Sequence, residues 1–120
     1  MLASLNEKIG QYDHSEWREQ VFSYPTETIY EEDSEALSPK QILGTISRMM
    51  PKDTVVATDV GQHQMWTAQY ATFDKVRRFV SSGGLGTMGF GMGAAIGAQV
   101  ATKDPVVLVT GDGSFGMNLN

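Results

Sequence analysis

Apolar residues recur at helical spacing from residue 38 onward, where the chain first becomes regular. Ser38 and Gln41 have the spacing of a capping box, in which each side chain accepts a hydrogen bond from the backbone of the other residue. Pro39 suits the first position of a helix, and Pro51 cannot continue one. We therefore predict a helix between these prolines, with one apolar face formed by Ile42, Ile46 and Met49.

Three short runs rich in apolar and β-branched residues, at 54–58, 78–81 and 105–110, predict strands. A helical pattern lies between each consecutive pair of these runs. Strands that alternate with helices are typical of the α/β class, in which crossover helices connect a parallel sheet. We predict this fold class.

The predicted crossover helices differ in character. The second, over 89–101, is rich in small residues, and Gly93 with Gly97 would form a flat face for close packing against a helix or the sheet. A further helix begins at Ser114. The first, over 63–73, would bury three large side chains, Met65, Trp66 and Tyr70.

Polar or glycine-rich sequence follows every predicted strand, at 59–63, 81–86 and 111–114. Because the carboxyl ends of parallel strands lie at one edge of a sheet, these segments should be neighbours, and ligands of open α/β sheets bind at that edge. Glycines there allow a ligand to approach the backbone closely. The sequence therefore predicts a ligand site at this edge.

Three polar residues at this edge each have two interpretations. Asp112, between Gly111 and Gly113, either offers one oxygen to Mg²⁺ beside N–H groups that face phosphate, or forms a turn that only ends the strand. His63 either contacts a ligand or is a satisfied histidine at the start of a helix. Asp59 either orients its own loop or caps the following helix.

The run at 84–89, Gly-Leu-Gly-Thr-Met-Gly, fits the glycine pattern of dinucleotide-binding loops. That fingerprint also requires an acidic residue after the next strand, a place that Asp112 occupies. A single match within a glycine-rich stretch is weak evidence. A nucleotide-binding module without catalysis therefore stays open as an alternative.

Composition narrows the classes of function. The 120 residues suffice for one domain, and the absence of cysteine excludes disulfides and thiolate metal sites. A net charge of -5 argues against a nucleic-acid partner. No apolar run reaches the ~18 residues of a membrane span and no signal segment opens the chain, so we expect no membrane association and a cytoplasmic location.

Residues 1–37 lack the regular pattern of the rest. Trp17 and Val21 lie one turn apart in a weak helical segment, and residues 25–37 form an acidic connector. We expect residues 1–37 to be a linker and weak helix from a preceding domain, and residues 38–120 to belong to one domain.

Three motifs together resemble the catalytic subunit of acetolactate synthase (acetohydroxyacid synthase). They are Asp-Val-Gly-Gln-His-Gln-Met-Trp at 59–66, Ser-Gly-Gly-Leu-Gly-Thr-Met-Gly-Phe-Gly at 82–91 and Gly-Asp-Gly-Ser-Phe at 111–115. The resemblance covers about residues 38–120 and implies the N-terminal half of the C-terminal thiamine-diphosphate-binding domain. One departure is Gly93, where the family usually has proline.

The resemblance implies thiamine diphosphate and Mg²⁺ as cofactors, and FAD as a further cofactor that the full-length protein could hold. Asp112 would be the metal ligand, the carbonyl of Gly86 would accept a hydrogen bond from the aminopyrimidine, and Met88 would hold the cofactor bent. The implied cofactor-binding residues are Val60, Gly61, Gln62, His63, Gly86, Met88, Gly111, Gly113 and Ser114.

The implied activity is decarboxylation of pyruvate and condensation of the two-carbon unit with a second 2-oxo acid, either in branched-chain amino acid biosynthesis or in acetoin formation. The resemblance implies a homodimer or homotetramer, with a regulatory subunit as a further partner. The activating glutamate of the family lies in an N-terminal domain, so we expect no catalytic residue here and no activity from these residues alone. Enzymes of the pyruvate oxidase or glyoxylate carboligase type are the nearest alternatives.

Overall fold

The computed structural model describes residues 8–9, 13–24 and 36–119. The chain divides into two compact units, Met1–Glu31 and Glu32–Asn120. In the described part of the first unit, helix α1 spans Ser15–Ser23, and all of its residues are exposed. The weak helix predicted from the sequence is therefore present, whereas residues 25–35 of the predicted connector lie outside the described residues.

Helices and strands alternate through the second unit, as the sequence predicts. The predicted capping box forms: Ser38 Oγ accepts from the Gln41 N–H at 3.2 Å, and Gln41 Oε1 accepts from the Ser38 N–H at 2.9 Å. None of the described helices has the length and apolar character needed to cross a membrane. In chain order the elements are α2 (Pro39–Met49), β1 (Val55–Thr58), α3 (Gln62–Tyr70), β2 (Phe79–Val80), α4 (Phe90–Thr102), β3 (Val106–Val109) and α5 (Asp112–Gly116).

The three strands form a parallel sheet in the order β2-β1-β3, which confirms the predicted α/β class. Val56 in the central strand lies opposite Phe79 on one side and Val107 on the other. Because β2 and β3 flank β1 on opposite sides, the direction of strand addition reverses after β2. Ligands of open α/β sheets bind beyond the carboxyl ends of the strands at such a reversal, so the topology places a site after β1.

Strand β1 is the buried centre of this unit, and all of its residues are at most 2% exposed. On α2 the buried residue is Leu43, at 6% exposure. The apolar face predicted for this helix is only partly buried within the described residues, since Ile46 is half-buried but Ile42 is 43% and Met49 is 79% exposed. The register of α2 instead directs the side that carries Leu43 into the core.

The prediction that Met65 is buried is wrong, because α3 turns another side toward the core. Met65 is 58% exposed, while Thr67 is fully buried. The buried hydroxyl of Thr67 is satisfied, since it donates to the carbonyl oxygen of His63 at 2.6 Å. Trp66 and Tyr70 are half-buried, and the helix ends at Tyr70, earlier than predicted.

Close packing of α4 occurs at a different glycine from those predicted. A Cβ added at Gly93 or Gly97 would meet no atom within 4 Å in the described part of the chain. A Cβ at Gly91 would lie 2.7 Å from the backbone nitrogen of Asp59. The prediction for Gly93 and Gly97 is therefore wrong here, because the first turn of α4, and not its middle, lies against the end of β1.

Candidate functional site

The loops that follow the three strands come together at one edge of the sheet. A Cβ at Gly86 would lie 3.9 Å from Val60 Cγ1, so the loop after β2 contacts the loop after β1. A Cβ at Gly113 would lie 3.9 Å from Met88 Cε, so the loop after β2 also reaches the first turn of α5. We call these loops, together with the first residues of α3 and α5, the rim: residues 59–63, 81–89 and 111–114.

A buried carboxylate joins the end of β1 to the start of α4. Asp59 is fully buried, and its Oδ1 accepts from the N–H groups of Val60 at 2.8 Å and Gly89 at 2.9 Å. Its Oδ2 accepts from the N–H of Gly91 at 2.9 Å. Asp59 therefore orients its own loop, as predicted, but it caps α4 and not the helix that follows it.

The pKa of Asp59 lies below its ordinary value of 3.8. Burial disfavours the charged form and raises the pKa, but hydrogen bonds from the backbone N–H groups of Val60, Gly91 and Gly89 outweigh it. The nearby Ser114 hydroxyl lowers the pKa further. Asp59 is therefore ionised at neutral pH, and peptide N–H groups stabilise its charge.

Buried hydroxyl groups make two further connections across the rim. Ser114 in α5 is 2% exposed, and its Oγ donates to the carbonyl oxygen of Val60 at 3.1 Å. After β2, Ser81 Oγ accepts from Thr58 Oγ1 at 2.9 Å and from Gln64 Nε2 at 2.6 Å. These bonds attach α5 to the loop after β1 and the end of β2 to β1 and α3, so the rim is held from two sides.

The imidazole of His63 lies beside two glycines of the rim. A Cβ at Gly61 would lie 2.9 Å from its Cε1, and a Cβ at Gly111 would lie 3.3 Å from the same atom. Its Nε2 is buried and has no hydrogen-bond partner among the residues that the structure describes. Because an unpaired buried nitrogen costs roughly 1–3 kcal/mol, this atom is a candidate for contact with a bound ligand.

The charge of the rim restricts which ligands it suits. Asp112, the first residue of α5, is exposed, and the rim contains neither lysine nor arginine. Backbone N–H groups and a cation would therefore have to balance an anionic ligand. Within residues 8–9, 13–24 and 36–119 no group of three metal-binding side chains exists. Asp112 would thus share a cation with oxygens from the ligand, water or other protein segments.

Residues 59–120 match the family of C-terminal TPP binding domains of thiamine pyrophosphate enzymes. The chain belongs to this family. The match begins at Asp59 and includes the whole rim, so the segments that meet at the edge of the sheet are those of a TPP-binding domain. The fold predicted from the sequence is confirmed.

This TPP-binding domain is similar to acetolactate synthases. It is 43% identical over 122 residues to the isozyme 2 large subunit of Escherichia coli (strain K12), covering 99% of this chain and 22% of the relative. Identity is 50% over 91 residues to the isozyme 3 large subunit of the same organism, covering 75% of this chain and 16% of the relative. The chloroplastic enzyme of Arabidopsis thaliana is 48% identical over 86 residues, covering 71% of this chain and 13% of the relative.

The resemblance inferred from the three motifs is therefore confirmed, and the chain spans about a fifth or less of the length of these relatives. All predicted site residues lie on the rim. Ser114 differs from the rest in that its hydroxyl is bonded to Val60 and its side chain is buried. Sequence reasoning missed the residues that hold the rim in place, namely Gly91, Thr58 and Ser81.

Proposed function

We propose that this chain is part of an acetolactate synthase catalytic subunit, and that its rim binds the diphosphate end of thiamine diphosphate through Mg²⁺. The convergence of the three strand ends carries this proposal. Gly86 approaches Val60, Met88 approaches Gly113, and His63 lies beside Gly111. The similarity to acetolactate synthase large subunits supports the choice of enzyme.

The residues of the rim suit this cofactor in three respects. The exposed carboxylate of Asp112 offers a hard oxygen to Mg²⁺. Glycines at 61, 111 and 113 keep side chains away from the backbone that would face the diphosphate. The buried, unpaired Nε2 of His63 is a nitrogen for which a cofactor oxygen would be a suitable partner. Because the rim has no lysine or arginine, it suits a diphosphate whose charge is balanced by Mg²⁺ better than an anion without a metal.

Each predicted site residue has a role in this proposal. Asp112 holds the metal, and the N–H groups of Gly113 and Ser114, which have no acceptor within α5 because they lie in its first turn, face the diphosphate. Because the Ser114 hydroxyl is bonded to Val60, only its backbone is assigned to the cofactor. The remaining contacts would come from Val60, Gly61, Gln62, His63 and Gly111, with the carbonyl of Gly86 as acceptor and Met88 as support for the cofactor.

When bound, thiamine diphosphate supplies the electron sink for decarboxylation of pyruvate and transfer of the two-carbon unit to a second 2-oxo acid. The residues of this chain bind and orient it. The half-exposed side chain of Met88 would exclude water from one side of the site. No residue of this chain is assigned a proton transfer, since the activating glutamate is expected in another domain.

The wider context follows from the same proposal. Residues 38–120 form the N-terminal half of the cofactor domain, and residues 1–37 connect it to a preceding domain. The whole enzyme would act in branched-chain amino acid biosynthesis in the cytoplasm as a homodimer or homotetramer. The "large subunit" in the names of the relatives supports a smaller regulatory subunit as partner. FAD would bind elsewhere in the protein.

Product analysis tests the proposed reaction. The complete protein is incubated in air with pyruvate or with glyoxylate, in the presence of thiamine diphosphate, Mg²⁺, FAD and phosphate, and we expect acetolactate and CO₂ from pyruvate. Acetyl phosphate or acetate with consumption of oxygen would indicate a pyruvate oxidase, and condensation of glyoxylate alone would indicate a glyoxylate carboligase. A complete protein that turns over none of these 2-oxo acids would contradict the proposal.

A further inference from the structure

Asp59 is not itself assigned a contact with the cofactor, yet two of the three rim loops depend on it. Its carboxylate is fully buried and accepts three backbone N–H groups, from Val60, Gly89 and Gly91. We propose that Asp59 is a positioning residue, which sets the place of Met88 and Gly86 relative to Val60 and thereby the fit of the rim to the cofactor. This inference rests on the proposed function.

Hydrogen bonds to Asp59 hold the loop after β2 against the loop after β1. Gly89 directly follows Met88 and adopts a φ of +88°, a conformation that side-chain-bearing residues rarely adopt. Its N–H donates to the same oxygen that receives the Val60 N–H. The loops after β1 and β2 are therefore joined through one atom, Oδ1 of Asp59.

The other carboxylate oxygen of Asp59, Oδ2, holds the start of α4. Gly91 donates to Oδ2, and a Cβ at this position would lie 2.7 Å from the backbone nitrogen and 2.9 Å from the Cβ of Asp59. Contacts this short force a shift of the backbone. A side chain at Gly91 would thus push α4 away from β1 and carry Met88 with it, although the carboxylate stays intact.

A carboxylate is suited to this position in a way that an amide is not. Both oxygens of Asp59 accept backbone hydrogen bonds, Oδ1 from Val60 and Gly89 and Oδ2 from Gly91. Asparagine has one acceptor oxygen, so in either orientation its NH₂ group would face at least one backbone N–H. The substitution Asp59→Asn therefore keeps the shape of the side chain but leaves either the Gly91 N–H, or the Val60 and Gly89 N–H groups, without an acceptor.

Hydrogen exchange of the complete wild-type protein without cofactor is the first test. If Asp59 positions the rim in advance, the amides of Gly89 and Gly91 are protected before thiamine diphosphate is added. Free exchange of these amides until the cofactor binds would overturn the proposal. This readout does not depend on activity, nor on whether any variant folds.

The second test compares Asp59→Asn and Gly91→Ala with the control Gly93→Ala, which adds a methyl group to the same helix at a place where no atom of the described residues lies within 4 Å. Both test variants should speed exchange in peptides covering 82–92. They should also weaken calorimetric binding of thiamine diphosphate in Mg²⁺ by about tenfold or more, as expected for loss of hydrogen bonds to a charged group. The control should match the wild type in both measurements.

The outcomes separate this inference from the proposed function. Wild-type affinity in a folded Asp59→Asn or Gly91→Ala protein would overturn the positioning role. A loss of thermal stability with unchanged cofactor affinity would do the same, since it would make Asp59 purely structural. If the wild type binds no thiamine diphosphate, the proposed function fails, while the protection of Gly89 and Gly91 still reports whether Asp59 joins the two loops.

Discussion

Replacing Gly61 by alanine should loosen the loop after β1. Gly61 has a φ of +153° and a ψ of -167°, a conformation essentially restricted to glycine, and holding another residue there costs about 1–3 kcal/mol. The added Cβ would also lie 2.9 Å from Cε1 and 3.0 Å from Nδ1 of His63, so the imidazole has to move.

The amides of Gln64 and Met65 report this change, because both donate to the carbonyl oxygen of Gly61. A loss of about 1–3 kcal/mol in local stability corresponds to about 5- to 150-fold faster hydrogen exchange at these two amides. The matched control is Gly83→Ala in the loop after β2, where a Cβ meets no atom within 4 Å in the part of the chain that the structure describes, and exchange of these two amides should stay at the wild-type rate. Equal exchange rates in Gly61→Ala and Gly83→Ala would refute the reasoning.

Two other substitutions test the core and the buried charge. Leu43→Ala removes a side chain that is 6% exposed and should destabilise this unit by about 2–5 kcal/mol in denaturant unfolding, whereas Met49→Ala at 79% exposure should change it by less than about 0.5 kcal/mol. Similar losses of stability in the two variants would contradict the burial of Leu43 and the exposure of Met49. Because the pKa of Asp59 is depressed on folding, its ionisation stabilises the protein fully above pH 3.8, and this contribution is lost as the pH falls through the folded pKa. The stability difference between wild type and Asp59→Asn should therefore be constant near neutral pH and shrink below pH 3.8 in acid unfolding experiments, and a difference that grows on acidification would contradict it.

Local signals in the sequence were sufficient to predict the order of the elements and the position of the site. The capping box at Ser38 and Gln41 acts within one helical turn, so the sequence shows it directly. The three strand ends were predicted to meet because parallel strands place their carboxyl ends at one edge. The contacts of Gly86 with Val60 and of Met88 with Gly113 confirm that they do.

The contacts that hold the rim could not be predicted, because they join residues far apart in the sequence. Asp59 lies 30 positions from Gly89 and 32 from Gly91, and Thr58 lies 23 from Ser81. An aspartate after a strand shows that an N–H group will be bound, but it does not identify which one. A glycine repeat likewise shows that a helix can pack closely against a neighbour. It does not show which glycine makes the contact, and only the position of α4 against β1 identifies Gly91.

The pattern of apolar residues also could not predict which side of α3 is buried. Met65 and Thr67 lie on different sides of α3, and hydrophobicity alone predicts burial of the side that carries Met65. Thr67 is buried because its hydroxyl is satisfied within the helix by the carbonyl of His63, which removes the cost of burying a polar group. Polar residues that can bond to their own helix therefore weaken predictions based on hydrophobicity alone.

Calorimetric titration of thiamine diphosphate into the complete protein, with and without Mg²⁺, tests the central claim most directly. We expect Mg²⁺-dependent binding by the wild type and by Asp74→Ala, an exposed aspartate outside the rim, and binding weakened about tenfold or more in Asp112→Ala. A nucleotide-binding module that relied on backbone N–H groups would lose less. Wild-type affinity and Mg²⁺ dependence in Asp112→Ala, or no binding by the wild type, would contradict the assignment of the rim to this cofactor.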